Sequence, residues 1–223
     1  RCLLGWRTCG SSGACWGLDG LLAAHLTVMR QMASTIQESA AIESGQIRIT
    51  LKNASWLDEM RELNGPSTEE LPLCEPLAGD ILLVYMLDLS TAMRSMTQAD
   101  ADKLGLSDRT KLRETALDNI RRLIRQDGLE TDRAEGHSLC QIRLDGFYDT
   151  ALVLLLDEIL HDDAVLAANP VFSVPARDAL LLCNPADEES LYALADLTRQ
   201  AYSESAYTVS DILYQYHKGS NRK

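Results

Sequence analysis

The chain has 223 residues, 46% of them apolar, 24% charged and only 5% aromatic, with a net charge of −12 and a pI near 4.7. That length suits one good core or two small lobes built mostly from aliphatic side chains. The acidic balance opposes binding to nucleic acid or to an anionic membrane, and the longest apolar runs, 81–87 and 151–156, fall far short of the roughly 20 residues a spanning helix needs.

Residues 1–17 are rich in Gly, Cys and Trp and follow no period, which marks an atypical N-terminal segment. Cys2, Cys9, Cys15 and His25 are of metal-ligating type, but no C-x-x-C spacing accompanies them, so no zinc and no other cofactor is expected. Cys74, Cys140 and Cys183 are scattered, and two of them fall in apolar strands, as small hydrophobes in a reducing cytosol would. No basic start with a long apolar stretch marks a secretory signal, and the chain opens on Arg1 rather than Met. Leu22, Leu26, Met29, Ala33 and Ile36 recur at three- and four-residue steps and predict a helix over 18–41.

Residues 46–52 alternate apolar and polar and predict a half-buried strand. The stretch 53–79 holds Pro66, Pro72 and Pro76 and reads as a long irregular connection, with a short helix over 55–63 that lines up Trp56, Met60 and Leu63. The strongest strand of the first half follows at 80–89, with a short partner at 92–96. Thr97 to Asp100 is a capping-box-like start for a short helix that stops at Gly105. Ser107 then caps a longer helix to about Gln126, with the stripe Leu112, Ala116, Ile120, Leu123 and Ile124. Its many basic residues suit pairing with Asp118 and the helix dipole better than nucleic acid.

Residues 127–137 read as a polar loop, 138–144 as a strand, 145–149 as a turn and 149–161 as a very apolar helix. Two strands, 171–174 and 179–183, flank the corner Pro175-Ala176-Arg177-Asp178; the second is apolar almost throughout, as a strand covered on both faces is. Asn184 to Asp187 starts a helix, and Thr208 to Asp211 opens a last one that fades at Gly219, before a disordered tail over 220–223. The fold class is therefore α+β, a mixed and largely antiparallel sheet packed with helices. The order of elements permits two βαββα-like units, 18–126 and 138–219, inside one domain over 18–219.

No G-x-S-x-G, Walker loop, G-x-G-x-x-G or H-E-x-x-H is present. Glu158-Ile159-Leu160-His161 lacks the second motif a di-iron bundle needs. Asp145, Arg177 and Asp178 gather at one predicted sheet rim, and they are the candidate ligand-binding residues; Asp145 or Asp178 is the natural carboxylate partner for Arg177. The leading expectation is a protein- or ligand-binding module without catalysis, with no nucleic-acid or membrane partner. The rival is a hydrolase-type enzyme using those three residues.

The runs A-G-D-I-L-L-V-Y-M-L-D-L (78–89), L-R-E-T-A-L-D-N-I-R-R-L (112–123), D-G-F-Y-D-T-A-L-V-L-L (145–155) and V-F-S-V-P-A-R-D-A-L-L-L (171–182) resemble, in the same order, the YtpQ-like family of bacterial proteins. The resemblance spans roughly 46–219 and leaves 1–17 outside. It implies a bacterial, cytosolic protein of uncharacterised role and transfers no catalytic residue.

Overall fold

The apolar run after Asp80 forms the centre of a first sheet in the computed structural model, which describes residues 42–64, 71–89, 92–166 and 169–219. The atypical segment 1–17 with its cysteines, the helix expected over 18–41 and the tail 220–223 lie outside the described residues. Strand β1 (Ile47–Asn53) is followed by helix α1 (Ala54–Asn64), then by the hairpin of β2 (Cys74–Ala78) and β3 (Ile81–Asp88) and the short β4 (Met93–Ser95). β3 takes β1 along one edge and β2 and β4 in succession along the other, all antiparallel. Its first five residues are all buried, as an unbroken apolar run between two neighbours and two covered faces should be.

β2 corrects the expectation of an irregular 53–79. Pro76 hides a strand from pattern reading, but an edge position tolerates the missing donor, and the register shifts between Pro76 and Ala78. Helix α2 (Gln98–Lys103) carries the predicted capping box from Thr97, and α3 (Arg109–Asp127) is capped by Asp108 rather than Ser107. α3 packs its buried Leu112, Ala116 and Ile120 across β1. Asn119, also buried, donates to the carbonyls of Ser44 at 2.7 Å and Ile47 at 2.9 Å.

The second sheet runs β5 (Glu130–Arg133), β6 (Cys140–Arg143), β8 (Leu180–Cys183), β7 (Val171–Ser173) and β9 (Tyr214–Gln215), again antiparallel throughout. β5 replaces part of the loop expected over 127–137: all four of its residues are exposed and polar, so the sequence carries no alternation there. Between β6 and β7 the expected helix over 149–161 is mostly a 3-10 helix, Asp149–Leu155, with only a short α4 (Leu156–Ile159) behind it. Residues 149–156 are all buried, so packing from every side, not a one-sided period, fixes their path. Helix α5 (Glu188–Glu204) starts from Asp187, not Asn184.

The helix expected over 208–219 does not form. The amides of Val209 and Ser210 donate to the carbonyls of Pro175 at 2.9 Å and Val174 at 3.1 Å, and that of Tyr216 donates to Pro170 at 2.8 Å. A local cap signal loses here to pairing along an open sheet edge. A continuous core joins the two sheets, running from Ile47, Leu83 and Leu87 through Leu152 and Leu155 to Leu180 and Leu182.

Candidate functional site

Of the three predicted rim residues, the structure brings two together. Asp145 and Asp178 line a cavity of about 300 Å³ with Glu130, Arg143 and Asp149. Asp145 and Asp149 also build the turn that precedes the buried 3-10 helix. One oxygen of Asp149 accepts from the amides of Leu144, Asp145 and Gly146 at 2.8, 2.9 and 3.1 Å. One oxygen of Asp145 accepts from Phe147 and Tyr148 at 2.8 and 2.9 Å. Carboxylates that fold their own turn in this way are the ordinary use of Asp in loops.

Arg177 does not line that cavity, and the carboxylate partner expected for it is absent among the described residues. Its guanidinium lies instead over two aromatic rings, 5.0 Å from the centroid of Phe147 and 4.3 Å from that of Tyr207. A planar, weakly hydrated cation stacks well on ring faces, and the corner supplies two of them.

The larger concavity is a groove of about 360 Å³ where the two sheets meet. Pro76, Leu77 and Ala78 of edge strand β2 form one wall; Phe172 of β7, Tyr214 and Gln215 of β9 and the following Tyr216 and His217 form the other, with Arg113 of α3 also on the lining. Phe172 and Tyr214 stack at 5.4 Å. Arg113 stands 3.8 Å from Glu75, which accepts a 2.5 Å hydrogen bond from the Tyr85 hydroxyl. Burial first, and then that bond to Glu75, push the Tyr85 phenol far above its ordinary range, so it acts as a fixed donor.

Tyr214 of the groove wall also enters a polar knot that ties the sheets together. Asp80, in the β2–β3 turn, accepts from the Tyr214 hydroxyl, from Ser210 at 2.8 Å and from the Asn53 amide at 2.7 Å. Asn53 also donates to the Val209 carbonyl at 2.9 Å. Burial and the bond to Asp80 raise the Tyr214 phenol to about 12. Gly79 is needed beside it: its φ is +53°, and a Cβ there would come within 3.0 Å of the Tyr214 ring.

Other chemistry-bearing residues fall into structural roles. Burial pushes the thiols of Cys140 and Cys183 up to about 11, which makes them poor nucleophiles. Glu158 pairs with Arg121 at 2.6 Å while His161 sits near Asp162, so the E-x-x-H residues part company. No group of His, Cys, Asp and Glu among the described residues could hold a metal ion, and no helix among them is long and apolar enough to cross a membrane. Sequence reasoning missed the groove because its walls are two edge strands, β2 and β9, that it did not find. The Gly79-Asp80 dipeptide between two strand-forming runs was the available signal.

No family model matches the chain, and no solved structure matches it. It is similar to a UPF0354 protein of Listeria welshimeri, 20% identical over 187 residues, which is 82% of this chain and 69% of that protein.

Proposed function

We propose that the protein is a binding module without chemistry of its own, and that its ligand enters the groove between β2 and β9. The observation that carries this reading is the lining. Apolar and aromatic walls (Leu77, Phe172, Tyr214) carry a few polar groups (Arg113, His217), the usual make-up of a small-ligand pocket. Arg113 and the rings suit a ligand with an apolar body and one negative group. The hydrolase reading at Asp145, Arg177 and Asp178 has less support, since Arg177 is absent from the cavity that holds the two carboxylates. We further infer a bacterial, cytosolic protein of the YtpQ-like family. The distant bacterial relative and the four sequence runs support this reading.

Titration with anilinonaphthalene sulfonate, an aromatic anion that fluoresces in apolar sites, tests the groove. The native protein should bind it saturably at one site. Ala78→Glu, at an exposed position on the groove wall, should abolish that binding while leaving the fold intact. Equal binding by the variant, or none by the native protein, would contradict the proposal.

A further inference from the structure

We propose that the groove takes the carboxyl-terminal end of another protein's chain, held as a short strand between β2 and β9. This assignment rests on the groove being the ligand site and names its ligand class. Both walls are open strand edges. β2 ends the first sheet and β9 ends the second, and among the described residues no strand pairs with the far side of either. Consecutive residues line the cavity on each wall, Pro76 to Ala78 and Tyr214 to His217. Side chains of a strand alternate between its faces, so an unbroken run marks a cavity that meets both strands along their edges.

The ladder registers fix which backbone groups point into it. The Tyr216 amide donates to the Pro170 carbonyl at 2.8 Å, and the next pair along is Gln215 with Val171. Bonded and non-bonded pairs alternate in an antiparallel ladder, so Gln215 turns both its N–H and its C=O away from β7. On the other wall the Tyr85 amide donates to the Leu73 carbonyl at 3.0 Å. Counting on through Cys74–Val84 and Glu75–Leu83 to Pro76–Leu82 turns the Pro76 carbonyl outward as well. Pro76 and Gln215 are both exposed. Two acceptors and a donor on the edges of one cavity are what an added strand pairs with. The charge on the lining selects the end of a chain. Among 33 acidic and 21 basic residues, the lining takes Arg113 and His217 and no Asp or Glu, which suits a terminal carboxylate. Leu77, Val153, Leu154 and Phe172 supply apolar surface for a side chain beside it. A volume of about 360 Å³ is that of a small-ligand site, enough for the last residues of a chain but not for a strand running through.

A library of random heptapeptides with free carboxyl termini tests this, selected on the native protein and counter-selected on Ala78→Glu. The selected peptides should share an apolar residue at or next to the terminus. The best of them should bind saturably and displace anilinonaphthalene sulfonate. Amidating its terminus, or N-methylating one of its last amides, should weaken it by about tenfold or more. Arg113→Gln should shrink the difference between the acid and the amide. No enrichment over Ala78→Glu, or N-methylated peptides that all bind as well as the parent, would overturn the proposal. Octanoate, an apolar acid without amides, separates this inference from the groove itself. Octanoate binding with no peptide enrichment sinks the chain end alone; failure of both octanoate and anilinonaphthalene sulfonate sinks the groove. The N-methyl comparison needs only the native protein, so it decides even if a variant does not fold.

Discussion

The two sheets are built by one connection scheme carried out in two ways. In the first, β1, α1, β2 and β3 give the strand order β1-β3-β2; in the second, β6, the 3-10 helix with α4, β7 and β8 give β6-β8-β7. In both, the last of these strands slots between the first two and a helix comes after, directly in the second and beyond the short β4 in the first. The crossovers differ. None of the α1 side chains that the structure describes is fully buried, whereas residues 149–156 form the middle of the core and pack against β1, α3 and β8. Topology fixes where a crossover passes, and the run of apolar residues decides whether it is a lid or a centre.

The largest expected effect is the contrast between those crossovers. Leu152→Ala should cost about 2–5 kcal/mol through a cavity in the common core, and Leu57→Ala on half-buried α1 less than about 1 kcal/mol; urea unfolding of both measures the gap, and equal costs would erase the distinction. Next is the turn that launches the buried crossover. Asp149→Ala strips three backbone amides of their acceptor and should cost about 1.5–3 kcal/mol, visible as a lower urea midpoint.

Each unit also pins its following helix with an acid. Asp187 accepts from the amide and hydroxyl of Ser138 at 2.9 Å each; Asp100 pairs with Arg94 at 2.6 Å and accepts from the Thr97 amide at 2.9 Å. Burial pulls the Asp100 carboxyl up, but the bonds from Arg94 and Thr97 outweigh it and hold its pKa below the ordinary value. A depressed folded-state pKa gives stability that is complete above about pH 4 and is lost as pH falls through the lowered value. Asp100→Asn should cost about 1–2 kcal/mol near neutrality, and its difference from the native protein should shrink across that acid window in pH-dependent unfolding.

Legibility followed the same contrast. Strands with a strong apolar pattern, β1, β3, β6 and β8, were readable, as were α1, the capping box of α2 and the stripe of α3. The elements that pattern reading missed are held by their neighbours. β2 carries a proline, β5 is wholly exposed, β9 replaces a well-signalled helix, and the buried crossover has no single face. The rim was half legible. Asp145 and Asp178 do share a cavity, but no linear pattern shows that Arg177 stacks on Phe147 and Tyr207, 30 residues away on either side. Nor does it show that Asp80 meets Tyr214 on the groove wall.

Hydrogen–deuterium exchange with saturating anilinonaphthalene sulfonate tests most directly whether a ligand enters the groove where the two sheets meet. The predicted result is slowed exchange in two separate segments, β2 on one side and residues 214–217 on the other, with little change elsewhere. Protection that falls instead on the outer face of α5, around the exposed Tyr192 and Leu197, or no protection at all, would contradict it.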